Sequence, residues 1–198
     1  VNHFKDNFYY YTGGAVGTKF CDDVIKFSNT IKKKQARTGT GYDETTRHLN
    51  IRKSKVAWLS EKWVYSQLFK FIHDANRLGR FEFDIKSSEP IQYTRYSGED
   101  NNRDHYDWHQ DSIYTPRGEI RKLSLICNLT DPKEYEGGDL FIEVPHPNPA
   151  QSRKYQLNFM KQRGSVIVFP SFLWHKVAPV TKGIRHSLVC WMKGTPFK

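Results

Sequence analysis

From Phe81 to the C-terminus the sequence is written in short apolar phrases: "FEFDI", "IQYTRYS", "HYDWHQD", "KLSLICNL", "DLFIEV", "KYQLNF", "SVIVFP", "HKVAPV" and "RHSLVCWM". Turn-forming clusters such as "YEGGD" and "KQRG" separate them. Phrases this short, rich in β-branched and aromatic residues, suit strands rather than helices. Eight or nine of them at regular spacing must pair with one another, which argues for a sandwich or barrel. Ahead of them lie two helical patterns. Residues 18–35 carry Phe20, Val24, Phe27 and Ile31 at helical spacing, with lysines on the other face. After a loop, "TGTGYDETT", a second helix is expected from about Ser60, as N-cap, to Leu78, with Gly79 ending it. Its apolar stripe, Trp63, Val64, Leu68, Phe71, Ile72 and Ala75, reads as core. The fold expected is mainly β with N-terminal α-helices, a jelly roll backed by helices.

The 198 residues suit one domain, 1–198, with helical support over about 1–79 and a jelly-roll core over about 80–198. No internal repeat is visible. No run of about 18 apolar residues exists, which argues against a membrane span. The start "VNHFKDNFYYYTGG" lacks the layout of a signal peptide. The chain begins at Val1, so whether the native protein extends upstream is left open. Cys21, Cys127 and Cys190 form no C-x-x-C pair and read as reduced thiols of a cytoplasmic protein, in the host cytosol were its source viral. The net charge of +10 is uneven: between Lys26 and Lys62 ten basic residues face three acidic ones. That segment is either an attractor of acidic partners or a solvated loop.

The chemistry gathers in residues 104–112, "DHYDWHQDS", which holds His-x-Asp twice, as His105–Asp107 and His109–Asp111. A histidine and a carboxylate two residues apart on a strand share a face and can hold two corners of a metal site. With eight histidines in the chain, chance supplies about half of one such pair, so a third ligand is needed. His175, after "SVIVFP", is the candidate, and Arg185 follows ten residues later across a turn built on Gly183. Two histidines and a carboxylate leave adjacent coordination positions open, the arrangement of non-haem Fe(II) oxygenases. Those positions need a chelating cosubstrate and dioxygen, and an arginine on the next strand would grip a distal carboxylate of that cosubstrate.

Four motifs, "IQYTRYSG", "YDWHQD", "GGDLFI" and "HKVAPVTKGIRHSLVCW", give the block from Ile91 to Trp191 a clear resemblance. It resembles the Fe(II)- and 2-oxoglutarate-dependent dioxygenases, within them the prolyl 4-hydroxylase-like branch that includes the PKHD-type hydroxylases. The resemblance is weaker over the helical part up to Gly79. It implies a double-stranded β-helix of the cupin-like, jelly-roll kind. It implies His175 as the distal iron ligand and Arg185 as the partner of the far carboxylate of 2-oxoglutarate. Trp191 and Ser187, on the face of Arg185 by strand alternation, would line that pocket. Tyr96 matches a tyrosine whose hydroxyl reaches the cosubstrate. Asn128 falls where relatives often place a tyrosine or another polar group near the same carboxylate.

The resemblance weighs the two His-x-Asp pairs in opposite ways. Relatives place aromatics three positions before and often immediately before the metal histidine, as Tyr106 and Trp108 stand before His109, whereas His105 has Asn102 and Asp104 there. Relatives also space that histidine about nine residues from the pocket tyrosine, which from Tyr96 lands on His105. The aromatics weigh more, because the polar loop "SGEDNNRD" absorbs an insertion cheaply while packed aromatics are hard to displace. The expected ligands are therefore His109, Asp111 and His175. His105 and Asp107 then read as a polar strand end, His186 as structural, and His146 in "PHPNP" as part of a turn.

Activity on this reading is hydroxylation of an unactivated C–H bond with Fe(II), 2-oxoglutarate and O2, ascorbate being a candidate reductant. The cosubstrate leaves as succinate and carbon dioxide. A prolyl residue of a protein or peptide is the substrate the resemblance implies, with the basic loop closing over it. No substrate-binding residue, modified position or oligomeric state follows from the sequence. Two alternatives stand beside it. A nucleic-acid demethylase of the same superfamily fits the charge, but those enzymes carry a second arginine six residues after the first, where this chain has Trp191. A non-catalytic jelly roll holding an acidic partner on its basic face would not need the ligand set and Arg185.

Overall fold

The computed structural model describes residues 2–3, 9–37, 49–115 and 118–197. The N-terminal part contains β1 (Asn2–His3), β2 (Tyr10–Thr12), α1 (Thr18–Asn29), β3 (Lys34–Gln35), β4 (Arg52–Lys53), β5 (Lys55–Leu59) and α2 (Lys62–Leu78). Then follow β6 (Ser87–Ser88), β7 (Ile91–Ser97), β8 (His105–His109), β9 (Ile120–Asn128), β10 (Tyr135–Gly137) and β11 (Leu140–Val144). The chain closes with β12 (Arg153–Gln156), β13 (Val166–Pro170), β14 (His175–Val177) and β15 (Val180–Gly194). Two antiparallel sheets result. The larger runs β1-β2-β13-β9-β15-β7-β5-β3, with β6 and β10 also paired to β15; the smaller runs β12-β11-β14-β8-β4. This is the expected jelly roll, mainly β with two helices near its N-terminus.

Period-two alternation gives the large sheet two working faces. Along β9, Leu123, Leu125 and Cys127 join a core shared with Val64, Leu68, Ile72 and Ala75 of α2 and with Cys21 and Val24 of α1. Ile126, between them, points the other way, into a second core with Ile167, Phe169, Leu140, Ile142 and Val177. The helices therefore seal the outside of the large sheet, and the space between the two sheets is left for the site.

Several elements depart from expectation for local reasons. Helix α1 stops at Asn29 instead of reaching residue 35: the hydroxyl of Thr30 donates to the carbonyl of Phe27 at 2.7 Å, competing with helix continuation. Helix α2 starts at Lys62 with Glu61, not Ser60, as its N-cap, and the Glu61 carboxylate accepts the Ser60 backbone N–H at 2.8 Å. The helix ends at Gly79 as expected, but Gly79 itself keeps φ of −76°, and it is the next residue, Arg80, that turns the chain away with φ of 56°. "FEFDI" is not a strand. Arg80 and Glu82 have φ of 56° and 51°, which breaks the pleat, and the Asn76 side chain takes the place of a neighbouring strand by pairing with both N–H and C=O of Phe83 at 3.0 Å. The basic segment is not all loop: β4 and β5 lie within it, one in each sheet. The "TGTGYDETT" loop and several of the segment's charges lie outside the described residues. No described helix is long and apolar enough to cross a membrane.

Candidate metal centre

Strands β8 and β14 pair antiparallel with His109 directly opposite His175, so both imidazoles project from one face of the small sheet toward the large one. Asp111 follows β8 by two residues, its backbone N–H held by the Ser171 carbonyl at 2.8 Å. The three side chains meet. His175 Nε2 lies 3.4 Å from Asp111 Oδ2, His109 Nε2 lies 3.8 Å from Asp111 Oδ1, and all three ligand atoms fall within 4.8 Å of one another.

The second contacts of each group leave the right atoms free. His109 Nδ1 faces the Asp107 carbonyl at 2.7 Å and His175 Nδ1 faces the Leu173 carbonyl at 3.0 Å. Donation from Nδ1–H to a carbonyl puts the lone pair on Nε2, the nitrogen turned toward Asp111. Burial, then the neighbouring His175, lowers the pKa of His109 to about 3, so its imidazole is an uncharged ligand at neutral pH. Burial opposes ionisation of Asp111, but the two histidines outweigh it and hold the carboxyl well below the usual carboxylate range. Ser124, on β9, donates its hydroxyl to Asp111 Oδ2 at 2.7 Å. Tyr106 stacks on His109 with centroids 3.4 Å apart, and the Arg52 guanidinium covers the other side of Tyr106 at 4.3 Å. Arg52 is itself buried, held by Ser54 and Gln92.

The other His-x-Asp pair is elsewhere employed. Both ring nitrogens of His105 face backbone carbonyls, of Arg103 and Asn50, at 3.0 Å, and Asp107 is exposed. The spacing that favoured His105 is absorbed between β7 and β8 by a turn at Glu99–Asn101 and the residues just after it, with positive φ at Asp100, Asn101 and Arg103. Trp108 turns outward, between the ammonium groups of Lys154 and Lys176 at 5.0 and 5.1 Å.

Arg185 is the largest side chain buried almost completely, 1% exposed. Among the described residues it has no carboxylate partner, and its Nη1 has no hydrogen-bond acceptor. A buried guanidinium without a counter-charge is costly, and an anionic ligand removes the cost. Tyr96 pairs with Arg185 across β7 and β15, its ring centroid 5.6 Å from the guanidinium carbon. Burial pushes the Tyr96 phenol up, keeping it a neutral group. Ser187, Asn128 and Trp191 are buried on the same inward face, Ser187 opposite Asn128 and Trp191 opposite Ser124. Asn128 donates both amide hydrogens to backbone carbonyls, of Thr130 and Lys161, leaving only its Oδ1 unpaired. Sequence reading missed Ser124 and Arg52. A serine between leucines on an inward strand face was the one available sign of Ser124.

Two imidazoles turning Nε2 inward and one carboxylate suit Fe(II), and the unmatched Arg185 suits the far carboxylate of a dicarboxylate cosubstrate. Comparisons with known proteins give the family. Residues 91–193 match the 2OG-Fe(II) oxygenase superfamily. A PKHD-type hydroxylase of Nitrobacter winogradskyi is 28% identical over 180 residues, covering 86% of this chain and 73% of the relative. Of four other PKHD-type hydroxylases it matches, the chain spans only 36% to 54%. A prolyl-4-hydroxylase of Pseudomonas putida shares the fold at TM-score 0.70 and 15% identity, over 96% of this chain and 94% of that one. So does a prolyl hydroxylase of Trichoplax adhaerens, solved with a peptide fragment of a hypoxia inducible factor, at TM-score 0.64 and 15% identity, over 94% and 83%.

Proposed function

Because the chain belongs to the 2OG-Fe(II) oxygenase superfamily, we propose that it hydroxylates a prolyl residue of a protein or peptide with Fe(II), 2-oxoglutarate and O2. The observation that carries this reading is a buried His109–Asp111–His175 triad in the same interior as a buried, uncompensated Arg185. Iron with bound 2-oxoglutarate supplies the oxidising power, at the cost of converting the cosubstrate to succinate and carbon dioxide.

The chain's own residues do the rest. His109, Asp111 and His175 would hold the metal, and their contacts to Asp107, Leu173 and Ser124 fix which atoms face it. Arg185 would take the distal carboxylate, with Tyr96 beside it and Ser187 and Asn128 closing the wall. The apolar packing of Ile126, Ile167, Phe169 and Leu140 keeps water from that chamber. Trp191, opposite Ser124, is buried with the Arg121 guanidinium over its ring at 4.0 Å, and half-exposed Trp58 sits 6.1 Å from it. A prolyl, peptide-borne substrate is supported by the two structural relatives, a prolyl-4-hydroxylase and a prolyl hydroxylase solved with a peptide fragment. Three buried, unpaired thiols fit a reducing, cytoplasmic setting.

The test is incubation of the Fe(II)-loaded protein with 2-oxoglutarate, O2 and proline-containing peptide libraries, following succinate and the gain of one oxygen atom on proline. Succinate and hydroxyproline, both lost in Asp111→Asn, are expected. Oxidation of nucleic acid alone would overturn the prolyl reading, and succinate formation undiminished in Asp111→Asn would overturn the metal site.

A further inference from the structure

Strand β10 lies against β15 with Tyr135 directly opposite Gly183. Residues 183 and 185 share a face of β15, so the side chains of Tyr135 and Arg185 are diagonal neighbours across the pair. Gly138 locates them more closely. A Cβ on Gly138 would lie 2.9 Å from Arg185 Cδ and 3.3 Å from Tyr135 Cε2, so the stem of one and the hydroxyl-bearing edge of the other pack around the same glycine. Gly138 has φ of 63° and leaves the room that both need.

Tyr135 is 6% exposed, and its hydroxyl is buried without any hydrogen-bond partner, as is Nη1 of Arg185. A buried, unspent hydroxyl is costly on its own. Two unspent donors on neighbouring side chains have a common remedy: one acceptor group with more than one oxygen. The polar neighbour on the adjacent strand does not serve that group. Asn128 has given both amide hydrogens to Thr130 and Lys161, and its remaining Oδ1 would repel a carboxylate.

We propose that Tyr135 is a cosubstrate-binding residue, its hydroxyl donating to the distal carboxylate of 2-oxoglutarate beside the Arg185 guanidinium, where Asn128 has no donor to offer. The proposal rests on the dioxygenase reading above. It makes Tyr135 and Arg185 a joint reader of the second carboxylate, so that the site prefers 2-oxoglutarate to 2-oxoacids that lack one. A hydrogen bond to a charged group of this kind changes affinity roughly ten- to a hundredfold.

The test is anaerobic titration of the Fe(II)-loaded wild type and Tyr135→Phe with 2-oxoglutarate, and separately with 2-oxobutyrate, read by the visible charge-transfer absorption of the complex. The variant is expected to bind 2-oxoglutarate roughly tenfold or more weakly, while 2-oxobutyrate and Fe(II) bind as in the wild type. Unchanged 2-oxoglutarate affinity overturns the proposal, and so does an equal loss for both oxoacids, which marks a merely structural role. A wild type that binds no 2-oxoglutarate overturns the dioxygenase reading and the proposal together. Should the variant fold poorly, the wild-type structure with Mn(II) and 2-oxoglutarate decides: a carboxylate oxygen within hydrogen-bond distance of Tyr135 Oη is expected, and a carboxylate remote from it overturns the assignment.

Discussion

Asp111 carries the only negative charge of the triad, and its orientation depends on a serine from the opposite sheet. Ser124 bonds Asp111 Oδ2 at 2.7 Å and Ser171 Oγ at 3.0 Å, so the carboxylate is tied to the large sheet as well as to its own strand. Ser124→Ala is expected to weaken Fe(II) binding roughly 10- to 100-fold, as losses of such outer contacts do, at a stability cost of only about 1 kcal/mol. Competition with a chelator measures the first and urea unfolding the second. His105→Ala is the matching control. Both its ring nitrogens face backbone carbonyls, so Fe(II) affinity should stay at the wild-type value, and a large loss would return the first His-x-Asp pair to the site. The triad could be read from the sequence because metal ligands announce themselves by residue type and spacing, and because the Tyr106 that stacks on His109 stands three residues before it. Ser124 and Tyr135 could not. Their meaning lies in which strand they face, and register across strands distant in sequence is not written in either strand alone.

Strands β7, β9, β11 and β13 fall within a residue or two of the phrases that announced them, because each alternates or is apolar throughout and is bounded by turns. β4 and β5 were hidden. In "RKSKVAWL" the lysines and arginines mask a strand whose Val56, Ala57 and Leu59 are buried, and Arg52, which reads as one charge among ten, is turned inward onto Tyr106. "FEFDI" erred the other way: its apolar alternation is real, but the rings of Phe81 and Phe83 stack at 6.0 Å along a chain whose positive φ angles at Arg80 and Glu82 forbid a pleat. Helix α2 was the plainest element, and its role separates from that of the site. Leu68 is fully buried against the outer face of the large sheet, so Leu68→Ala should cost about 2–5 kcal/mol. Urea unfolding should show the lower midpoint with an unchanged slope. Fe(II) affinity should not move, since the triad projects into the opposite face; a variant that loses metal binding while folded would show that the two cores are coupled.

At the scale of the molecule, two largely desolvated histidines tie stability to pH. His109 sits near the metal, and His186 lies on the helix side, stacked on Tyr93, its Nδ1 2.7 Å from the Tyr93 hydroxyl. Burial lowers His186 to about 4, assisted by Arg95, Lys33 and Arg185, as burial and His175 lower His109 to about 3. Unfolded, both take up a proton near pH 6.5, so on acidification the unfolded chain binds protons that the folded chain refuses. Their stability contribution is complete above about pH 6.5 and is lost as pH falls, until His186 levels off near 4 and His109 near 3. The shifts are worth on the order of 3 kcal/mol for His186 and about 5 kcal/mol for His109. Asp111, held low by the same histidines, adds its own loss only below about pH 4, where an ordinary carboxyl begins to protonate. The metal-free protein should therefore have a markedly lower urea midpoint at about pH 4.5 than at about pH 7. His186→Gln, which keeps a polar group beside Tyr93, should flatten that fall without removing it, leaving the part that belongs to His109. Fe(II) binds the folded state with His109 unprotonated, so adding metal should raise the midpoint at neutral pH by mass action, and this gain should shrink in acid. A midpoint that stays level from about pH 7 to 4.5 in the metal-free protein would mean that neither imidazole is as desolvated as its surroundings require.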